Sequence, residues 1–369
     1  MPFEPNSPLL SIILPCQNEA ESLASCLLKI KDVIDKNRLS AEIIVSDSST
    51  DNSPQIAQNL GVKLIKHDKN GYGRAYLEAF KIARGQYLFC ADADCTYDFN
   101  EIPRFINYLE QGYDLVIGNR FDGHIHPHAM PWLHHYIGNP LLSSLFNLFF
   151  KTHLQDIHSG MRALRRSALE RLNLKTTGME FASEMIISAN LHRLKIKELP
   201  IDYYPRLGKS KLKSFPDGWR HLRFMLIYAP NYLFLIPGFL FFLFGLILIF
   251  IFPANLIYGC FLIILGYQII NLGLYSKTYL KFQGSISNDK FVDFLAQHIR
   301  FESGILWGLF FLLITLLIKQ KLIFNWLIDN SSLTSHSIII LALTLAVLGI
   351  QTLFSAFLIS ILLIEKNEK

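Results

Sequence analysis

The sequence predicts an α/β domain on a doubly wound, largely parallel sheet, followed by an all-helical membrane domain of about four spans. Three observations carry this. Short apolar runs alternate with stretches of helical periodicity through residue 224. Carboxylates stand at the ends of three successive strand-like runs. Beyond Tyr232 the composition turns to long uncharged apolar stretches. A chain of 369 residues, 51% hydrophobic, has room for both parts. Its formal net charge of +5 needs no nucleic-acid partner, since basic residues beside membrane segments serve topology and lipid headgroups. The five cysteines form no CxxC pair, which fits a reducing, cytosol-facing soluble part. Met1-Pro2-Phe3-Glu4-Pro5 has neither a basic n-region nor an apolar h-region, so no cleaved signal peptide is expected.

Leu10 to Pro15 reads as the first strand, and Leu23, Leu27, Ile30 and Ile34 mark a helix over Glu21 to Ile34. Glu42 to Ser46 is the second strand, running into Asp47-Ser48-Ser49-Thr50-Asp51. Pro54 opens a helix that stops before Gly61. Val62 to Ile65 is a third strand, and Asn70-Gly71-Tyr72-Gly73 precedes a helix from Arg74 to Ala83. Tyr87 to Ala91 then reads as a buried central strand. It ends in Asp92-Ala93-Asp94.

At a strand's carboxyl end the backbone leaves the sheet, which is where open α/β folds bind ligands. Asp92 and Asp94 are spaced to share one hard cation. Mg²⁺ or Mn²⁺ takes a few carboxylates plus substrate phosphates, so the pair implies a phosphorylated ligand. A surface turn capping the next helix is the plainer alternative, and Asp-x-Asp alone does not decide. Neither GxGxxG nor GxxxxGK[ST] occurs, which excludes the dinucleotide fingerprint and the P-loop. Glu19, Asp47 and Asp51 add carboxylates at the ends of the first two strands, suited to accepting from base N–H and ribose hydroxyl groups.

Seven stretches then recur in family order. They are Leu14-Pro15-x-x-Asn18-Glu19, Asp47 to Asp51, Asp92 to Asp98, Asp114 to Arg120, Ser159-Gly160-Met161-Arg162-Ala163, Met179 to Glu184 and Gly208 to Leu212. With them, residues 9 to about 224 resemble a family 2 glycosyltransferase of the GT-A fold, in the branch of dolichyl- or polyprenyl-phosphate sugar synthases. The resemblance implies that Pro15, Glu19 and Asp47 line the nucleotide and that Asp92 and Asp94 hold metal and diphosphate. Some relatives carry a Gln two residues after the second Asp as a further metal ligand; here Thr96 stands there.

Asn119-Arg120 ends another strand, Leu115 to Gly118, where Arg suits donor diphosphate or acceptor phosphate. His124, His126 and His128 lack zinc spacing and read as loop histidines. Residues 132–150 are rich in Trp, Phe and Leu, so they serve a core or a membrane interface. The resemblance puts the lipid phosphate here, beside His134 and His135 where relatives carry a basic pair. It places Ser159, Gly160 and Arg162 on the site floor, with Arg162 toward the diphosphate or acceptor phosphate, and a carboxylate near Glu184. That carboxylate is a base for hydroxyl acceptors, but a phosphate acceptor is already an anion, so Glu184 orients or deprotonates. Arg206, Ser210 and Lys211 lie in a basic loop suited to closing over the diphosphate, or to anionic lipid.

The expected layout is a soluble domain over 1–224, interfacial helices near 132–150 and 215–231, and a membrane domain over 232–369. Its spans fall near 232–252, 254–275, 303–323 and 337–364. Lys277, Lys281, Lys290 and Arg300 between spans two and three, with the Lys366–Lys369 tail, place the catalytic part in the cytoplasm. Gln268, Asn271 and Gln351 read as interhelical contacts. The expected activity moves a hexose such as glucose or mannose from a nucleotide-diphosphate sugar to polyprenyl phosphate, with inversion and with Mg²⁺ or Mn²⁺. A hydroxyl acceptor on a lipid or growing glycan, or a glycolipid-binding or transport role, are the alternatives; a homo-oligomer is compatible with each.

Overall fold

The structure is a computed structural model that describes residues 7–68, 71–208, 214–282, 301–329 and 336–364. Asn70, Lys209, Ser210, Lys211, Lys290, Arg300 and the Lys366–Lys369 tail lie outside the described residues. The chain divides into two compact units, Met1–Met225 and Leu226–Lys369.

The first unit is built on a seven-stranded mixed sheet of order β3-β2-β1-β4-β6-β5-β7. Strand β1 (Leu10–Cys16) pairs in parallel with β2 (Ala41–Asp47), Cys16 opposite Asp47, and with β4 (Tyr87–Cys90), Ile13 opposite Cys90. Ile12, Ile13, Leu14, Leu88 and Phe89 have no exposed surface, as strands covered on both faces require. Strand β3 (Lys63–Lys66) is a parallel edge whose exposed terminal lysines discourage further pairing. The other half of the sheet departs from parallel order. There β6 (Arg162–Arg165) runs antiparallel between β4 and β5 (Leu115–Asn119), while β7 (Ile196–Pro200) pairs in parallel with β5.

Helix α1 (Leu23–Lys36) buries Leu23, Cys26, Leu27, Ile30 and Val33, the stripe its spacing predicts. Helix α2 (Ser53–Asn59) follows with Pro54 in its first turn. Helix α3 (Tyr72–Ile82) begins two residues before the expected Arg74. The reason is tertiary: the first-turn N–H groups of Gly73 and Arg74 donate to the carbonyls of Gly178 and Thr177 at 3.2 and 3.1 Å. A short 3₁₀ turn, Phe99–Glu101, leads into α4 (Ile102–Glu110), a helix the sequence reading passed over. Residues His134–Gly138 form a π-turn ahead of α5 (Asn139–Phe150), and α6 (Arg166–Leu172), α7 (Phe181–Leu191) and α8 (Ser214–Ile227) follow.

The second unit holds α9 (Ile236–Ile251), α10 (Leu256–Phe282), α11 (Phe301–Asp329) and α12 (His336–Ile364). Among the described residues, four helical stretches are long and apolar enough to cross a membrane: Asn231–Ile251, Pro253–Phe282, Glu302–Gln320 and His336–Leu362. Helices α9 and α10 approach closely where both lack side chains. A Cβ on Gly266 would lie 2.5 Å from the Phe242 nitrogen, and one on Gly245 would lie 2.6 Å from the Gly259 oxygen. Gln351 Nε2 donates to Gln268 Oε1 at 2.9 Å, the interhelical role expected of both residues. Asn271 is buried on α10, and its Nδ2 has no partner among the described residues.

Candidate active site

Three neighbouring strands, β2, β1 and β4, deliver their carboxyl ends to one edge of the sheet. Asp47 is the last residue of β2; it is 1% exposed, and neither carboxylate oxygen has a hydrogen-bond partner among the described residues. An unpaired buried acceptor is costly unless a ligand donates to it. Pro15 is half-buried and Glu19 is buried in the loop after β1. That loop is stitched to the one after β2. Asn18 Oδ1 accepts from the Thr50 N–H at 2.8 Å, Asp51 Oδ2 from the Ala20 N–H at 3.1 Å, and Ser53 Oγ from the Glu19 N–H at 3.1 Å. Asp51 thus works as a loop staple.

Beyond β4, Asp94 is buried and Asp92 half-buried. Removal from water, and then the Asp94 carboxylate, push the Asp92 carboxyl well above the usual carboxylate range. Asp94 Oδ1 accepts from Thr96 twice, from the backbone N–H at 3.1 Å and from Oγ1 at 2.5 Å. Arg206 Nη2 meets the other oxygen, Oδ2, at 2.7 Å and also stands 3.7 Å from Glu19 Oε1. Thr96, in the place of the relatives' Gln, therefore orients Asp94. The backbone of Gly160 lies so near that a Cβ there would be 2.3 Å from Asp92 Oδ2, and its N–H donates to Tyr97 Oη at 2.7 Å. Only glycine leaves room for that carboxylate.

These residues fit a hard divalent cation in one definite respect: two like-charged carboxylates, sheltered from water, have already drawn in a guanidinium. No group of three or more His, Cys, Asp or Glu placed to hold a metal occurs among the described residues. Two carboxylates leave the rest of such an ion's shell to substrate phosphates and water.

The basic residues are more committed than the sequence suggests. Arg120 is buried and locked to Asp156 by a fork, Nε to Oδ2 at 2.7 Å and Nη2 to Oδ1 at 2.8 Å, with Tyr203 beneath it at 5.0 Å. Arg162 donates from all three guanidinium nitrogens to carbonyls, those of Ser159, Ala182 and Ile157, at 2.7, 2.7 and 2.9 Å. It ties the loop before β6 to helix α7. Glu184, buried near the start of α7, accepts from the N–H groups of Lys175 and Thr176 at 3.0 and 2.9 Å and from Thr176 Oγ1 at 2.6 Å. Ser210 and Lys211 lie outside the described residues.

Sequence reasoning gave no role to His158, Ser183 or His221, and put Ser159 only on the site floor. Both ring nitrogens of His158, and Oγ of the fully buried Ser159, have no partner among the described residues. The His158 ring packs edge-on against His221 at 4.4 Å, and His221 Nδ1 shares a 2.8 Å hydrogen bond with Ser183 Oγ. Burial, then His221, Arg120 and Arg162, hold His158 far below the ordinary imidazole range; burial alone is the main cause that brings His221 down to about 4. His134 is half-buried and lowered by burial and by Arg120, whereas His135 stacks on Tyr136 at 4.3 Å. Around them Trp132, Leu133, Tyr136, Ile137, Leu141 and Leu148 are 43–65% exposed, an apolar surface on the first unit itself. Asp156 and His158 stand just before the Ser159-Gly160 stretch and Ser183 lies within Met179 to Glu184, which was the signal available; His221 carried none.

Comparison with known proteins agrees with this fold. The description Glycosyl transferase family 2 matches residues 11–172, and Glycosyltransferase family 2 C-terminal transmembrane region matches residues 274–363. The low-salt glycan biosynthesis hexosyltransferase Agl6 of Haloferax volcanii is 39% identical over 96% of this chain and 89% of its own. A dolichyl-phosphate hexose transferase of the same organism is 30% identical over 57% of this chain and 89% of its own. A crystal structure of a mycobacterial protein shares the fold, with TM-score 0.50 and 17% identity over 60% of this chain and 75% of that one. The fold is that of a GT-A glycosyltransferase with a helical membrane region. The chain belongs to glycosyl transferase family 2.

Proposed function

We propose that this membrane glycosyltransferase moves a hexose, with inversion, from a nucleotide-diphosphate sugar to the phosphate of a polyprenyl-phosphate lipid. The observation that carries the acceptor class is the state of Glu184. Both of its oxygens are occupied by three donors from residues 175–176, so it is held as an anchor. A hydroxyl acceptor needs a base there; a phosphate is already an anion near neutral pH. The names of two relatives, a hexosyltransferase and a dolichyl-phosphate hexose transferase, support the same reading.

In this reading Asp47, with Pro15 and Glu19, receives the nucleoside. Asp92 and Asp94 hold Mg²⁺ or Mn²⁺, which when bound offsets the charge of the donor diphosphate. Arg206, already drawn to Asp94, stabilises the departing diphosphate as the bond to the anomeric carbon breaks. The lipid phosphate oxygen forms the new bond from the opposite face. His158, Ser159 and His134 supply neutral donors to that phosphate, near the cationic Arg120, while Arg162 and the Arg120–Asp156 pair hold the floor in place. The exposed apolar surface from Trp132 to Leu148 serves as the lipid-facing approach. Lys277 and Lys281 at the end of α10 support a cytoplasmic catalytic unit.

The test is transfer by detergent-purified protein with Mg²⁺ or Mn²⁺, offering labelled nucleotide sugars with polyprenyl phosphate and, separately, with the dephosphorylated polyprenol. Label is expected on the phosphate lipid alone and absent with Asp94→Ala. Label on the alcohol would transfer the reading to hydroxyl acceptors, and near-full activity of the Asp94 variant would remove the metal role.

A further inference from the structure

We infer that Cys26 and Cys95 form a thiol–disulfide modification site that clamps the Asp92–Asp94 turn to helix α1. Their sulfurs stand 3.2 Å apart although the residues are 69 positions apart in sequence, and both are free thiols. Cys26 is fully buried on α1, whereas Cys95 is partly exposed and lines a cavity of about 510 Å³ with Lys29, Asp98, Asn100 and Leu207. One sulfur is reachable from solvent and the other waits behind it, the arrangement of an attacking and a resolving thiol.

The co-reactant is a low-molecular-weight disulfide of the glutathione class, whose carboxylates and amines meet Lys29, Asp32 and Asp98 at the cavity wall. Cys95 Sγ, its proton passing to solvent, attacks one sulfur of that disulfide; the S–S bond breaks and one reduced thiol leaves. Cys26 Sγ, giving up its proton, then attacks Cys95 Sγ. The Cys26–Cys95 bond forms and a second reduced thiol departs. Two protein thiols are oxidised and one small disulfide is reduced.

The position of the pair gives the bond a consequence. Cys95 directly follows Asp94 and holds a left-handed backbone, φ 64°. The same turn is tied to the start of α1 by Ser22 Oγ donating to the Ala93 carbonyl at 2.7 Å and by Cys95 Sγ lying 3.7 Å from the Ser22 carbonyl. A disulfide draws the sulfurs in by about a further 1 Å. Since α1 is packed through its buried stripe, the turn carrying Asp94 takes up that movement. None of this depends on the donor or acceptor proposed above.

The full-length protein in detergent, freed of reductant, is treated with oxidised glutathione, alkylated and mapped by peptide mass spectrometry. The expected product is one intramolecular link joining the Cys26 and Cys95 peptides, reversed by dithiothreitol, with Cys16 and Cys90 unmodified. Cys26→Ser is expected to stop at a glutathionyl adduct on Cys95. Hydrogen exchange across residues 91–97 is expected to slow in the linked form and to recover on reduction. Free Cys26 and Cys95 thiols after treatment of the folded protein, or equal reaction at Cys16 or Cys90, overturns the site. Unchanged exchange across 91–97 in the linked protein overturns the clamp.

Discussion

Arg206 reaches from beyond β7 to place Nη2 2.7 Å from Asp94 Oδ2, so a cation already stands at the carboxylate that ends the central strand region. The same nitrogen is 3.7 Å from Glu19 Oε1, in the loop after the adjacent strand β1. One guanidinium therefore joins carboxylates from two neighbouring strand ends. Burial works against its charge, and Asp94, then Glu19 and Asp92, more than restore it.

From this contact, Arg206→Ala is expected to lower kcat by roughly 10²-fold, the usual cost of removing one donor to developing negative charge. Arg206→Lys should recover part of it, because lysine supplies the charge without the fork. Steady-state transfer kinetics check this. An unchanged kcat for the alanine variant would leave Arg206 only a resting-state partner for Asp94.

The Arg120–Asp156 pair is buried on both sides, so removing one partner strands the other. Asp156→Ala is expected to cost about 3–5 kcal/mol of stability. A double variant, Arg120→Met with Asp156→Leu, should regain most of that loss. Thermal unfolding in detergent reads both. A stable Asp156→Ala protein would mean that Arg120 finds water or another anion.

Glu184→Gln replaces an acceptor oxygen with an NH₂ group facing backbone donors. The segment at 175–176 that it anchors also borders the start of α3 through the Thr177 carbonyl. The expected loss is about 1–3 kcal/mol of stability, the cost of an unsatisfied buried group. The pH profile of transfer is expected to keep its shape. Disappearance of an acidic limb in this variant would identify Glu184 as a base and favour hydroxyl acceptors.

His221 is buried and lowered to about 4 in the folded protein, against an ordinary value near 6.5. The unfolded chain therefore binds the extra proton between these values, and stability must rise with pH across that window. The contribution is complete above about 6.5 and is lost as pH falls toward 4; its full size is on the order of 3 kcal/mol. Melting temperatures taken through this range should fall with acidification, and His221→Asn should flatten the slope. A slope unaltered by the substitution would assign the effect to other groups.

Local pattern was enough to read much of this protein. The strands ending at Cys16, Asp47 and Cys90, the stripe of α1, the four apolar helices and the Asp92-x-Asp94 pair follow from periodicity, apolar content and chain order. Each of these is decided by residues close together in the sequence. Folding in three dimensions decided the partners. It inserted β6 antiparallel into the sheet, set Arg120 on Asp156 36 residues away, and spent Arg162 on three carbonyls. It left Asp47 buried without a donor among the described residues and brought Cys26 against Cys95. A charged or polar side chain shows its type in the sequence, but whether it faces a ligand or a neighbour depends on what distant segments bring to its side. Those contacts are set by sheet order and helix packing, which no local stretch specifies.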